Sequence, residues 1–102
     1  MLHTKIIDIE KDKIKTSIAE AFIKSSSYGA SIIFNGTVRN INENKEVIGM
    51  TYDTHDELVI KSFEKIYNEA SEKLKIIDTA VFIEHIKGYV GLGETSIIVA
   101  VA

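Results

Sequence analysis

Apolar residues recur along this chain with two periods, one typical of helices and one typical of strands. The clearest helical segment is Asp56–Leu74, where apolar side chains return every three or four residues, at Val59, Phe63, Ile66, Ala70 and Leu74. This spacing places them on one side of a helix. Acidic residues begin the segment and lysines follow its end, as the helix dipole favours. The pattern therefore predicts a long amphipathic helix.

A second helix is predicted over residues 13–24. Its apolar stripe consists of Ile14, Ile18, Ala21 and Phe22, and Asp12 stands where an N-cap residue is expected. The serine-rich stretch 25–28 and Gly29 end this helix, because serine and glycine favour loops.

Five apolar segments read as strands, at residues 4–9, 30–35, 47–54, 78–87 and 94–102. The second is a continuous apolar run and is predicted to be buried. Residues 36–45 are polar and predict a loop, across which the second and third strands pair as a long hairpin. The order β-α-β-β-α-β-β indicates a single α+β domain over residues 1–102, with two helices and a mainly antiparallel sheet.

The glycines of residues 88–93 predict a turn between the last two strands. A phosphate-binding P-loop is excluded, because the run lacks Lys-Ser/Thr and precedes a strand instead of a helix. The final strand is apolar up to Ala102. Two interpretations stay open: the strand emerges at the rim of the sheet, or the domain is incomplete at its C-terminus, which we favour.

Composition narrows the classes of function. The formal net charge is −3, which disfavours nucleic-acid binding. There is no cysteine, so disulfides, thiolate metal sites and a cysteine nucleophile are excluded. No membrane-spanning stretch or signal peptide is recognisable, so we expect a cytoplasmic protein. The three histidines do not have a metal-ligand spacing, and we predict no metal and no cofactor.

Two further groups have a structural and a chemical interpretation. His55 lies between Asp53 and Asp56 and forms either a helix-capping turn, which we favour, or a weak acid/base site. Lys87 is either a surface lysine or, with a lowered pKa, a catalytic one. His85 and Glu84 are adjacent in a strand, so they face opposite sides and are not expected to act together.

Arg39 is the only arginine, among eleven lysines, and follows the second strand in the sequence Gly-Thr-Val-Arg-Asn. Its planar guanidinium grips phosphate or carboxylate with two parallel hydrogen bonds, which an ammonium group does not do. Arg39 is therefore the candidate anion-binding residue. The alternative is an ordinary solvated charge at a strand end.

The chain resembles the large, catalytic subunit of molybdopterin synthase from Gly29 onwards. The motifs that carry this resemblance are Gly29-Ala30-x3-Phe34-x-Gly36-x-Val38-Arg39-Asn40, Val47-Ile48-Gly49-Met50-Thr51-Tyr52-Asp53, Ile83-x-His85, Gly88, Gly93-Glu94 and Val99-Ala100-Val101. The first motif, combined with the spacing of the others, is the most specific part of the match.

The resemblance implies a role in molybdenum cofactor biosynthesis. Members of the family convert cyclic pyranopterin monophosphate to molybdopterin, with sulfur from a thiocarboxylate on the C-terminal Gly-Gly of a ubiquitin-like small subunit. Two large subunits dimerise, which gives a heterotetramer. By this resemblance Thr37, Val38 and Arg39 are substrate-binding, and Arg39 holds an anionic group of the pterin.

Departures from the family pattern leave the catalytic residues of this chain unknown. The family has His-Arg where this chain has His85-Ile86, and tyrosine where it has His55. Members of the family also continue beyond the position of Ala102, into a segment that contains their catalytic lysines. The alternative function is a non-catalytic, dimerising or partner-docking α+β module. A ferredoxin-like small-molecule sensor is a third, by fold analogy alone.

Overall fold

A computed structural model describes residues 1–75 and 78–102 and confirms an α+β fold with two helices. Neither of these helices is long and apolar enough to cross a membrane. The elements, in chain order, are β1 (Leu2–Asp8), α1 (Thr16–Ile23), β2 (Ile32–Thr37), β3 (Ile41–Asn42), β4 (Lys45–Glu46), β5 (Gly49–Tyr52), α2 (Asp56–Leu74), β6 (Val81–Gly91) and β7 (Thr95–Val101). The short strands β3 and β4 lie within and just after the predicted loop 36–45 and were not expected.

The main sheet has the strand order β1-β6-β7-β2, and β5 pairs with the far end of β6. Three of its pairs are antiparallel, whereas β1 and β6 are parallel, so the mainly antiparallel sheet is confirmed with one parallel pair. The predicted hairpin between the second and third strands is wrong. β2 pairs with β7 and β5 pairs with β6, because the intervening segment closes on itself through β3 and β4.

The two helices lie on opposite faces of the sheet. Helix α1 buries Ala19 and Ile23 against side chains of β6 and β7, chiefly Phe82, Ile98 and Ala100. Helix α2 contacts β1 on the other face, and none of its residues is fully buried. The core is therefore concentrated on the α1 face.

Strand β2 is not buried as predicted. Ile32 and Phe34 are 72% and 58% exposed, because β2 is an end strand and α2 lies over the opposite end of the sheet. An apolar run reports a preference for burial, but it does not reveal whether another element covers the strand.

Helix α1 begins at Thr16, three residues later than predicted, and Asp12 does not cap it. The Asp12 carboxylate instead accepts a hydrogen bond from the amide of Lys13 at 2.8 Å and pairs with Lys15 at 3.3 Å. The Lys13 amide and then Lys15 lower the pKa of Asp12. Residues 12–15, which form these local bonds, are not helical. Helix α2, in contrast, has the predicted bounds.

The predicted turn at residues 88–93 is largely strand. β6 continues through Gly91, and only Leu92, Gly93 and Glu94 separate it from β7. Gly88 lies within β6 at φ +115°, where a Cβ would stand 2.6 Å from Cγ2 of Ile9. Gly93 lies in the turn at φ +75°, with open space beside it. Position 88 thus requires glycine for two reasons: its positive φ angle disfavours other residues, and a Cβ atom there would collide with Ile9.

Replacing Gly88 by alanine should destabilise the protein more than the same change at Gly93. Both variants incur the left-handed backbone penalty of about 1–2 kcal/mol. Gly88→Ala also displaces Ile9 or the strand, which adds roughly 1–3 kcal/mol. Urea unfolding of the two variants measures this difference. Equal losses would show that Ile9 moves aside without cost.

Candidate functional site

Val38, the residue before Arg39, is held just beyond the end of β2 by a pair of backbone hydrogen bonds. The amide of Val38 donates to the carbonyl of Glu94 at 3.2 Å, and the amide of Gly93 donates to the carbonyl of Val38 at 2.9 Å. The Val38 side chain is 3% exposed, in a buried apolar cluster with Ile7, Ile86 and Val90. The residue before Arg39 is thereby fixed to the β6–β7 turn.

The segment after Arg39 forms a tight hairpin. β3 and β4 pair, and Glu43 and Asn44 between them adopt left-handed φ angles of 51° and 62°. Two successive left-handed residues are typical of a type I′ turn, which suits asparagine. The amide of Val47 closes the hairpin by donating to the carbonyl of Asn40 at 2.8 Å.

This hairpin positions the guanidinium of Arg39. One guanidinium nitrogen, Nη2, donates to Oδ1 of Asn42 at 3.1 Å. In residues 1–75 and 78–102, no carboxylate forms an ion pair with Arg39, which is exposed. A neutral amide orients the side chain without neutralising its charge. Arg39 therefore retains the charge and the donors needed to bind an anion.

The three predicted substrate-binding residues, Thr37, Val38 and Arg39, differ in how exposed their side chains are. Thr37 and Arg39 are exposed, whereas the side chain of Val38 is buried and both of its backbone polar groups are already paired. The register of β2 against β7 shifts between Gly36 and Thr37. Thr37 and Arg39 are thus available for contact with a ligand, and Val38 is suited to holding Arg39 in place.

The histidines lie in separate environments. The Nδ1 atom of His55 accepts a hydrogen bond from the amide of Leu58 at 3.4 Å, which confirms the helix-capping interpretation. His85 donates from Nδ1 to the carbonyl of Ile86 at 2.7 Å and meets the ring of Tyr52 edge-on at 5.0 Å. Neither arrangement indicates an acid/base pair.

The partner of Glu84 is His3 rather than His85. Nε2 of His3 lies 2.9 Å from Oε2 of Glu84, which is 5% exposed. The predicted separation of Glu84 and His85 is thereby confirmed. Among the residues that the structure describes, no group of three or more histidine, aspartate or glutamate side chains is placed to hold a metal.

The side chain of Lys87 lies near the N-terminus of α2, where its ammonium is 3.7 Å from the carboxylate of Asp56. A cavity of about 490 Å³ opens here, and its charged lining consists of Lys5, Lys11, Lys87, Asp8, Asp12 and Asp56. Three lysines face three aspartates, so the site has no excess charge for an anion. The exposed ion pair with Asp56 therefore favours the interpretation of Lys87 as a surface lysine over a catalytic one.

Thr54→Val should raise the pKa of Asp56. The hydrogen bond from the Thr54 hydroxyl is the main cause that lowers this pKa, and Lys87 contributes less. A lowered carboxyl pKa stabilises the fold above the unfolded value of 3.8, and this stability is lost as pH falls through the folded value. An NMR titration of the Asp56 carboxyl carbon measures the shift, with Thr51→Val as the control. An unchanged pKa would assign the effect to Lys87.

The fold and the site together define a class: a small α+β protein that presents one arginine, oriented by a neutral amide, beside the end strand of a mixed sheet. The family model described as "MoaE protein" matches residues 9–102, nearly the whole chain. The chain therefore belongs to the MoaE family.

Curated relatives carry a consistent description. The "Molybdopterin synthase catalytic subunit" of Pyrococcus abyssi is 38% identical over 84 residues, which cover 82% of this chain and 55% of that protein. The protein of the same name from Thermoplasma volcanium is 30% identical over 102 residues, or 100% of this chain and 72% of the relative. In Emericella nidulans the match covers 48% of the relative. The chain thus spans about half the length of several of its relatives.

Solved structures share the fold. Molybdopterin synthase from Staphylococcus aureus superposes with a TM-score of 0.80 at 23% identity, over 94% of this chain and 66% of that one. A complex of subunits 1 and 2 of the molybdopterin-converting factor from Helicobacter pylori gives a TM-score of 0.69 at 22% identity, over 98% and 63% of the two chains.

Proposed function

We propose that this chain provides the substrate-holding part of a molybdopterin synthase large subunit. In this role Arg39 binds an anionic group of the pterin substrate, and the exposed hydroxyl of Thr37 lies two residues away. The observation that carries the proposal is the state of Arg39. It is the only arginine of the chain, its backbone is fixed on both sides, and no described carboxylate neutralises it.

The reaction proposed for the complete assembly converts cyclic pyranopterin monophosphate to molybdopterin. A chain without cysteine cannot supply the sulfur from its own thiol groups. We therefore propose that sulfur arrives as the C-terminal Gly-Gly thiocarboxylate of a ubiquitin-like small subunit. Support for such a partner comes from the H. pylori structure, which is a complex of two subunits of molybdopterin-converting factor. Two copies of the large subunit complete the proposed heterotetramer.

Isothermal titration of the chain with cyclic pyranopterin monophosphate tests the proposal most directly. We expect saturable binding, competed weakly by inorganic phosphate, because one phosphate offers only part of the recognised group. If the pterin does not bind, the chain has no pterin site. If inorganic phosphate binds with the same affinity as the pterin, the chain recognises only the phosphate group, which would also contradict the proposal. A parallel titration with a small subunit ending in Gly-Gly measures the partner contact separately.

The second candidate is a docking or dimerising module without catalysis. The exposed apolar surface of β2 favours this candidate. Ile32 and Phe34 are both largely exposed on the same face of the strand, and neighbouring exposed apolar side chains are typical of a surface that binds another protein. This candidate predicts partner binding that persists in Arg39→Ala and no affinity for the pterin. The two titrations therefore distinguish the two functions.

A further inference from the structure

The pairing of β2 with β7 is irregular near the end of β2. Up to Gly36 the two strands pair residue for residue, and Gly36 lies opposite Ile97. The next residue, Thr37, lies opposite Thr95, so Ser96 is an extra residue on β7. An extra residue on one strand of an antiparallel pair is a β-bulge, and bulges beside functional sites often redirect a side chain.

The side chain of Ser96 is fixed within this bulge. Ser96 continues the buried face of β7 that Ile98 and Ala100 form, where a polar group needs a partner. It is 5% exposed, and its hydroxyl donates a hydrogen bond to the carbonyl of Gly36 at 3.2 Å. This bond joins the extra residue of β7 to the last residue of β2 in the regular register. Ser96 therefore fastens the bulge from the β7 side.

The stretch that contains the bulge also changes the face to which β2 side chains point. Ile33 packs against the core on the α1 side, and Phe34 is exposed on the other face. Regular alternation would place Val38 on the face of Phe34, since the two are four residues apart. Val38 is instead buried in a cluster with Ile86, which shares its face of β6 with Phe82 of the α1-side core. The register shift accounts for this change of face.

We propose that Ser96 is a positioning residue for Arg39, which acts by holding the bulge that turns Val38 into the core. Beyond the bulge, the backbone of Val38 is bonded to Glu94 and Gly93, and Arg39 follows at the surface. A slip of one residue would exchange the faces of Val38 and Arg39. The effect of Ser96 on ligand binding rests on the proposed pterin site, whereas its effect on the backbone does not.

The chain offers a matched control at the other end of β7. The hydroxyl of Thr79 donates to the carbonyl of Ala102 at 2.7 Å, so it also joins a partly buried hydroxyl to a backbone carbonyl of the sheet. Ala80 and Ala102 exchange two backbone hydrogen bonds of 2.9 and 3.0 Å. Thr79→Val removes the hydroxyl and keeps the shape of the side chain. It should loosen the Ala80–Ala102 pair and leave the segment before Arg39 unchanged.

Amide hydrogen exchange, followed by NMR, tests the effect on the backbone without any ligand. Ser96→Ala should speed exchange at the amides of Val38 and Gly93 roughly fivefold or more, because their hydrogen bonds lie beyond the loosened bulge. The amides of Ala80 and Ala102 should change less than about twofold, and the control variant should give the reverse pattern. Equal acceleration at both ends of β7 would mean that Ser96 contributes only to global stability, and no acceleration would mean that the bulge holds without it. Either result would overturn the proposal.

Titration with cyclic pyranopterin monophosphate tests the effect on binding. Ser96→Ala should lower the affinity roughly three- to tenfold, whereas Thr79→Val should stay within about twofold. In an Arg39→Ala background, Ser96→Ala should have no further effect, because Ser96 acts through Arg39. An unchanged affinity in Ser96→Ala, or the same loss with and without Arg39, would overturn the positioning role. If the wild-type chain does not bind the pterin, the proposed function fails, and the exchange rates alone decide whether Ser96 holds the segment before Arg39.

Discussion

Arg39→Ala is expected to lower the affinity for a pterin phosphate by roughly 10- to 100-fold without changing the stability of the fold. A charge-assisted hydrogen-bond pair contributes about 1.5–3 kcal/mol, which corresponds to this range of dissociation constants. Stability should change by less than about 0.5 kcal/mol, because the only described side-chain bond of Arg39 joins it to Asn42 at the surface. Isothermal titration and urea unfolding measure the two quantities independently.

The chemical basis of the Arg39 effect is separable with two more substitutions. Arg39→Lys keeps the charge but loses the planar fork, so its affinity should fall between those of the wild type and the alanine variant. Lys45→Ala removes another exposed cation from the same hairpin and should have little effect. If Lys45→Ala weakens binding as much as Arg39→Ala does, the pterin is attracted by the overall positive charge of the hairpin and not by a specific site at Arg39. If Arg39→Lys binds the pterin with the wild-type affinity, a positive charge is sufficient and the planar guanidinium is not required.

The site was predictable only in part, because its parts come from distant regions of the chain. The position of Arg39 was evident from its rarity and from the Gly-Thr-Val-Arg-Asn motif. The hairpin that orients it had a local signal in Asn44, since asparagine tolerates the left-handed conformation that this turn requires. The bonds of Val38 to Gly93 and Glu94 had none, because they depend on the pairing of β2 with β7.

The fold shows the same division between local and non-local information. Helix α2 has the predicted bounds because its period, its acidic start and its lysine-rich end all lie within one segment. The pairing of the second strand with the third was mistaken because pairing is decided by contacts across the sheet, and β2 meets β7 some sixty residues later. The parallel pairing of β1 with β6 likewise has no signature in either strand alone. Periodicity therefore located the strands approximately but could not order them.

Phe82→Ala should destabilise the protein by about 3–5 kcal/mol, the cost of removing a buried aromatic side chain and leaving a cavity. Phe82 is 1% exposed and is among the largest fully buried side chains. Its ring stacks on His3 at a centroid distance of 4.4 Å and meets Phe22 at 5.5 Å. A small domain is stable by only about 5–15 kcal/mol, so much of the total would be lost. The urea midpoint, with an unchanged slope, measures the effect.

Phe34→Ala is the matched control, because it makes the same chemical change on the uncovered face. Phe34 is 58% exposed, so the loss should stay below about 1 kcal/mol. The pair tests the main correction to the sequence-based interpretation, in which the strand at residues 30–35 was expected to be buried. A loss at Phe34 as large as that at Phe82 would mean that β2 is covered in solution. Its dependence on protein concentration would then show whether a second copy provides the cover.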